Sequence, residues 1–356
     1  MAKSSKKNDV LTEAETANSL FDSLFQKDEA PKIIDVRTPA EFSQGHIIGA
    51  YNIPLLSNEE RAEVGTLFKQ ASPTIAFDKG IELVGPKMHS FIKAAREYMA
   101  DEKAYVYCWR GGKRSQSMSW LFNMAGLQST TIPGGYKAYR QYVVKVLGQA
   151  RNLVVVGGKT GSGKTKILHE LAKKGEQIID LEGIANHKGS AFGWIGEDAQ
   201  PATEQFENIL ASKVKTMDLE KPIWIENESR MIGKIALQQD FWDILKTSPL
   251  VNIDIPKTER IKHLIDTYKG DSSSDLKLAF NQIQKRLGGL RLQHAVSAID
   301  EEDYATAAEI ALTYYDKSYT KLLLKNQTKN IYKLNFEQGD FARIATSLIE
   351  HKKEMK

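Results

Sequence analysis

The sequence predicts an α/β protein of two domains in tandem, each a parallel sheet covered by helices, the second closing in a helical C-terminal part. Three observations carry this expectation. Short apolar runs alternate with helical patterns along most of the chain. Twice, a strand-like run opens into a glycine-containing loop followed at once by a helical stretch, at Ala104 to Ser115 and at Leu153 to Thr165. The 356 residues also exceed what one ordinary hydrophobic core organises.

The first domain is set at residues 12–145. Thr12 to Leu24 spaces its apolar positions as a helix does, and Lys32 to Val36 is a short strand. Thr38-Pro39-Ala40-Glu41 marks a helix start, with proline in the first turn and an acid soon after. Gly45 to Pro54 reads as a turn and a second strand, Asn58 to Lys69 and Gly85 to Met99 as helices, and Ala104 to Tyr107 as the strand that delivers Cys108. Ser115 to Met124 is the helix after the loop, Ser129 to Ile132 another strand, and Gly134-Gly135-Tyr136 opens a last helix.

Cys108 is the only cysteine, which excludes an intrachain disulfide and a cysteine-rich zinc site and fits a reducing compartment. Arg110, Lys113, Arg114 and a helix N-terminus surround its thiol and all favour the thiolate, so Cys108 is expected to be a nucleophile. Cys108 to Arg114 also spells Cys-x5-Arg, the spacing by which cysteine-dependent phosphatases hold phosphate on the arginine while the following hydroxyl, here Ser115, helps the thiolate leave. Tyr107 stands where those enzymes usually carry histidine.

Asp35-Val36-Arg37, Glu41-Phe42, Gly45-His46-Ile47, Gly49-Ala50, Asn52-Ile53-Pro54, the cysteine loop and Gly134-Gly135-Tyr136 together resemble a rhodanese domain. That resemblance implies that Cys108 carries a chalcogen atom, as a persulfide or its selenium equivalent. Asp35 and Arg37 are expected to pair as a brace, and His46 to hydrogen-bond the backbone.

The second domain is set at 150–356, after a connecting helical stretch from Gln141. Leu153 to Gly157 reads as a buried strand. Gly158-Lys159-Thr160-Gly161-Ser162-Gly163-Lys164-Thr165 then fits the P-loop pattern between a strand and a helix running from Lys166 to Lys173. In such a loop Gly158, Gly161, Ser162 and Gly163 turn N–H groups toward a phosphate, Lys164 reaches its terminal oxygens and Thr165 offers a hydroxyl to Mg²⁺. Strands are expected at Gln177 to Leu181, Pro222 to Glu226 and Val251 to Ile255. Asp180 and Glu226 stand at strand ends as candidates to assist the metal or to act as acid or base, with Glu226 the stronger and helix capping the alternative for Asp180. Arg286 and Arg291 flank a Gly-Gly break as a candidate phosphate clamp, the alternative being a solvated basic face. Asp303 to Lys321 is helical, its tyrosines packing.

Composition sets the outer limits. With 41% hydrophobic and 26% charged residues the chain is globular, and a net charge of +4 permits a polyanionic partner without requiring one. Met1 to Val10 is polar and basic, with no apolar core of a secretory signal, and no long apolar run follows, so the cytoplasm is the expected location.

Beyond the rhodanese and P-loop patterns, Asp180 to Gly193, Glu228 to Gly233 and Lys285 to Gly288 are similar to the family of tRNA 2-selenouridine synthases. The resemblance covers nearly the whole chain. It implies transferase activity on the wobble 2-thiouridine of tRNA, first geranylating its sulfur from geranyl diphosphate and then replacing the S-geranyl group with selenium from selenophosphate. It also implies that the P-loop with Arg286 and Arg291 binds the diphosphate, that Cys108 handles selenium while Arg110, Lys113 and Arg114 bind the departing phosphate, and that no cofactor is tightly held. Two alternatives stand beside it: a rhodanese-type sulfurtransferase or cysteine phosphatase joined to an ATP-dependent kinase-like domain, and a regulatory module that senses anions.

Overall fold

The computed structural model describes residues 18–23, 31–100, 102–268, 270–325 and 330–352, and divides into two units, Met1–Lys145 and Val146–Lys356. The expected boundary at residue 12 and most of the helix placed at 12–24 lie outside the described residues. Helix α1 is described over 18–23.

In the first unit the chain runs through β1 (Lys32–Asp35), α2 (Pro39–Gln44), β2 (Ala50–Asn52), α3 (Asn58–Gln70), α4 (Pro73–Val84), α5 (Met88–Met99), β3 (Ala104–Tyr107), α6 (Lys113–Met124), β4 (Ser129–Thr131) and α7 (Gly135–Leu147). The strands make a parallel sheet in the order β2-β1-β3-β4. Helix α2 begins where expected: Thr38 caps it and Glu41 closes the reciprocal capping box. Helix α4 was not anticipated. Its start is nonetheless written in Ser72-Pro73, where the Ser72 hydroxyl accepts the N–H of Ile75 and proline occupies the first turn. Ile34, Val36, Phe91, Met99, Val106 and Phe122 fill the core between sheet and helices.

The second unit continues with β5 (Leu153–Gly158), α8 (Lys164–Lys173), β6 (Gln177–Ile179), α9 (Leu181–Ala185), α10 (Thr203–Lys215), β7 (Ile223–Glu226), β8 (Met231–Ile232), β9 (Ile235–Ala236), α11 (Gln239–Thr247), β10 (Leu250–Asp254), α12 (Lys257–Tyr268), α13 (Ser273–Gln282), α14 (Gln284–Leu287), α15 (Gly289–Asp300), α16 (Tyr304–Lys325), β11 (Ile331–Asn335) and α17 (Phe341–His351). Its main sheet is parallel, in the order β11-β10-β5-β7-β6, with every residue of β5 buried as befits a central strand. A separate apolar cluster, including Phe192, Leu276, Phe280, Ile299 and Ala311, joins α13, α15 and α16 into the helical part. Among the bounds that differ from expectation, two bear on the P-loop. Helix α8 starts at Lys164, so the P-loop lysine already lies in the first turn, and β6 stops at Ile179 because Asp180 turns the chain to cap α9. No helix among the described residues is long and apolar enough to cross a membrane.

Candidate active sites

In the first unit, β3 carries Cys108 into a loop held tightly against the start of α7. The N–H of Tyr136 donates to the Cys108 carbonyl and that of Lys137 to the Trp109 carbonyl, both at 2.9 Å. Gly135, at φ +58°, has no room for a side chain: a Cβ there would stand 2.3 Å from the Cys108 carbonyl oxygen. This contact accounts for Gly134-Gly135-Tyr136 within the rhodanese-like pattern.

Cys108 is buried, with Sγ 3.3 Å from the fully buried Ser115 hydroxyl. Burial alone would raise its pKa, but hydrogen bonds from the Ser115 side chain and N–H, the Arg110 N–H and the Arg114 charge outweigh it and leave the thiol below its ordinary value. Gly112 caps α6 without a side-chain bond, so the first turn keeps N–H groups available to an anion. The three expected cations are not equivalent. Arg110 is exposed and acts on the sulfur through its backbone; the exposed Lys113 ammonium sits 5.1 Å from the centre of the Phe77 ring. Arg114 is anchored by Glu41, with Nη1 donating to Oε2 at 2.8 Å.

The surroundings brace this loop. Buried Arg37 donates to both Asp35 carboxylate oxygens and, at 2.6 Å, to the Gly45 carbonyl, while its guanidinium lies 3.8 Å from the centre of the Tyr136 ring. His46 Nδ1 lies 2.9 Å from the Phe42 carbonyl, a structural bond.

In the second unit the P-loop forms the polar end of a cavity of about 670 Å³. Gly161 and Gly163 adopt φ +80° and +73°, and a Cβ on Gly163 would collide with Phe341 at 2.2 Å. Buried Arg260 supports the loop from behind, donating to the Thr160 carbonyl at 3.1 Å while gripping Asp316 with both Nη atoms at 2.8 Å. Lys164 and Thr165 line the cavity together with Gly161 and Gly163; Ser162 is buried beneath them, and Gly158 lies against it. From this end the cavity continues along Phe192, Leu276, Phe280, Ile299, Ala311 and Leu312, an apolar wall supplied by the helical part.

The carboxylates are placed differently from expectation. Glu182, at the start of α9, receives the Thr165 hydroxyl at 2.8 Å, and Glu228 lines the cavity beside it. Glu226 lies behind them, fully buried: its Oε1 accepts the Glu182 N–H at 2.8 Å, so it positions Glu182 and does not reach the cavity. Burial first, then the charges of Asp180 and Glu182, push the Glu226 carboxyl well above the carboxylate range. Asp180 lines the cavity edge but is engaged, capping Gly183 at 2.7 Å and meeting His169 at 2.8 Å. Burial and the neighbouring Glu182 also raise Glu228, against the pull of Lys164. Arg286 and Arg291 are both exposed and neither lines the cavity; Arg286 instead donates to the Tyr314 hydroxyl at 2.9 Å. The short α14 and the Gly-Gly break turn these arginines outward, which corrects the clamp expected of them.

The model of the tRNA 2-selenouridine synthase AAA domain matches residues 151–353, and that of the rhodanese-like domain residues 18–142. The chain belongs to the tRNA 2-selenouridine synthase family. The synthase of Shewanella denitrificans is 33% identical over 94% of this chain and 98% of its own length, and that of Bdellovibrio bacteriovorus 34% identical over 88% and 95%. The synthase of Nitrosomonas europaea is 38% identical over 66% of this chain and 63% of its own length.

Within this synthase family member, three supporting residues escaped the sequence reading: Glu41, Glu182 and Arg260. The sequence marks Glu41 only at a helix start and within the rhodanese-like pattern, and Glu182 only inside the stretch Asp180 to Gly193. The spacing of the P-loop gave no signal for Arg260, which reaches Thr160 from one hundred residues away in sequence.

Proposed function

We propose that this chain modifies the wobble 2-thiouridine of tRNA in two steps, geranylation in the second unit and selenation in the first. The observation that carries the reading is the composite cavity, in which phosphate-binding groups at Lys164 and Thr165 continue into the apolar wall of Phe192, Phe280 and Ile299. A nucleotide needs the first feature. Geranyl diphosphate, an anion joined to a branched hydrocarbon, needs both.

In the first step the thiocarbonyl sulfur attacks the carbon bearing the diphosphate, the carbon–oxygen bond breaks and the diphosphate leaves with its charge. Lys164 and the loop N–H groups stabilise that charge where it develops. Apolar packing around the chain excludes water, which would otherwise compete with sulfur for the same carbon. Thr165 and Glu182 fit Mg²⁺ bound together with diphosphate, since this ion takes few protein ligands and keeps substrate oxygens and water. Among the described residues no group of three or more His, Cys, Asp or Glu side chains is arranged to hold a metal ion alone. When bound, Mg²⁺ would supply charge neutralisation on the leaving group.

In the second step selenium from selenophosphate displaces the S-geranyl group, and the Cys108 loop receives the phosphate part. The α6 N-terminus, Arg110 and Arg114 favour an anion there. Basic side chains would hold the tRNA, in the cytoplasm, by phosphate contacts whose strength falls with salt.

The test is incubation of the full chain with 2-thiouridine tRNA and geranyl diphosphate, followed by nucleoside mass spectrometry. S-geranyl-2-thiouridine is expected. ATP hydrolysis independent of tRNA, with no geranylated nucleoside, would favour the kinase-like alternative.

A further inference from the structure

The selenium step just proposed leaves open which atom Cys108 takes, and this inference rests on that step. We infer that the Cys108 thiolate is a phosphoryl acceptor, attacking phosphorus in a selenophosphoryl group carried on the uridine, and does not carry selenium itself.

Electron counting separates the two roles. Selenium in selenophosphate is already at the selenide level, and an S–Se bond at Cys108 would oxidise it. The two electrons would have to go to phosphorus, yielding phosphite, or to an external oxidant. Transfer of the phosphoryl group needs neither.

The loop is built for the second course. Cys108 Sγ lies 3.8 Å from the Gly112 carbonyl oxygen, at the start of a twelve-residue helix whose first turn has no side-chain cap. The Arg114 fork is held beside it by Glu41, with Nη1 to Oε2 at 2.8 Å and Nη2 to Oε1 at 3.4 Å. The Ser115 hydroxyl, fully buried and 3.3 Å from Sγ, can donate to a sulfur that regains negative charge. Nucleophile, oxygen-binding arginine, carboxylate support and a hydroxyl for the leaving thiolate form one constellation, larger than a reactive cysteine alone.

The steps balance as follows. Selenium of selenophosphate attacks C2 of the S-geranylated uridine, the C2–S bond breaks and geranyl thiol leaves, with the Se–P bond intact. Cys108 sulfur then attacks phosphorus, the Se–P bond breaks and its electron pair stays on selenium, giving 2-selenouridine once a proton is taken from water. Water attacks the phosphocysteine, a P–O bond forms, and the S–P bond breaks to return the thiolate with Ser115 donating to it. The sum is S-geranyl-2-thiouridine, selenophosphate and water giving 2-selenouridine, geranyl thiol and phosphate, with no net redox change.

The experiment uses the full chain, S-geranylated tRNA and selenophosphate labelled with radioactive phosphorus or, in parallel, radioactive selenium, with an alkaline denaturing quench that preserves phosphocysteine. Phosphorus label is expected on the wild-type protein and absent from Cys108→Ser. Trapped phosphorus should increase about fivefold or more in Ser115→Ala, because loss of the hydroxyl slows thiolate departure. Selenium label on Cys108, or selenouridine formed by Ser115→Ala with no phosphorus on the protein, would overturn the inference while leaving the selenation reading intact. Failure of the wild-type chain to form selenouridine from geranylated tRNA would overturn both.

Discussion

Glu41 Oε2 stands 2.8 Å from Arg114 Nη1, joining a residue of the first capped helix to the cysteine loop 73 positions later. Glu41 also accepts the Thr38 N–H at 3.2 Å, so one carboxylate both caps α2 and orients the arginine. Burial would raise its pKa, yet the bond and charge of Arg114 bring it below the usual value. Glu41→Gln leaves an N3 oxygen to accept the Thr38 N–H, so its cost, on the order of 1 kcal/mol, comes from the lost ion pair with Arg114. It should lower the selenation rate by roughly tenfold to a hundredfold, the scale of a misplaced positioning group. Kinetics with pre-geranylated tRNA would check this, and an unchanged rate would remove Glu41 from the site.

The apolar arm of the cavity yields a size prediction. Ala311, on α16, belongs to the apolar wall, and Ala311→Trp would fill part of the space lined by Phe280 and Ile299. The KM for geranyl diphosphate should rise by about tenfold or more, with a smaller effect on dimethylallyl diphosphate, whose chain is shorter. Equal effects on both donors would place the hydrocarbon elsewhere. Circular dichroism distinguishes a blocked cavity from a misfolded one.

Asp35 and Arg37 form a buried pair with side chains 0% and 1% exposed, and their loss would be felt as stability. Asp35→Ala strands the guanidinium, whose remaining acceptor is the Gly45 carbonyl. A destabilisation of about 3–5 kcal/mol is expected from an unpaired buried charge. Urea denaturation of the first unit's transition measures it, and a loss below about 1 kcal/mol would show that the brace is dispensable.

His263 supplies the pH dependence. It lines the cavity, and burial together with the charges of Lys166 and Lys164 depresses its pKa to about 4, with Asp266 opposing. Because the folded value lies below the unfolded one, the unfolded chain binds more protons between them, and folding is weakened as pH falls. The stability contribution is present above about pH 6.5 and is lost progressively toward pH 4. His263→Gln should flatten that part of a melting-temperature profile, whereas an unchanged slope would assign the acid sensitivity to other groups.

Much of the site was legible because backbone demands leave local marks. Gly161, Gly163 and Lys164 occur at a spacing that only a phosphate-cradling turn requires, and Cys108 lies between a strand and a basic loop. What stayed hidden was long-range. Glu226 looked like the metal-side carboxylate because it ends an apolar strand, but position at a strand end does not tell which way a chain turns next. The turn at Asp180 brings Glu182 to Thr165 instead. Arg286 and Arg291 carry the charge of a clamp, but charge does not tell that both stand exposed outside the cavity lining. Helix α4 was missed although Ser72-Pro73 marks its start, since its exposed Ile75, Phe77 and Ile81 do not trace a simple buried stripe.

The division of labour between the two units is tested most directly by giving Lys164→Ala and Cys108→Ser each donor separately. Lys164→Ala should lose geranylation of 2-thiouridine tRNA, by on the order of a hundredfold or more, while still converting pre-geranylated tRNA to the selenouridine form. Cys108→Ser should geranylate normally and fail to selenate. If Lys164→Ala geranylates at the wild-type rate, or Cys108→Ser selenates at it, the assignment of the two chemistries to the two units is wrong.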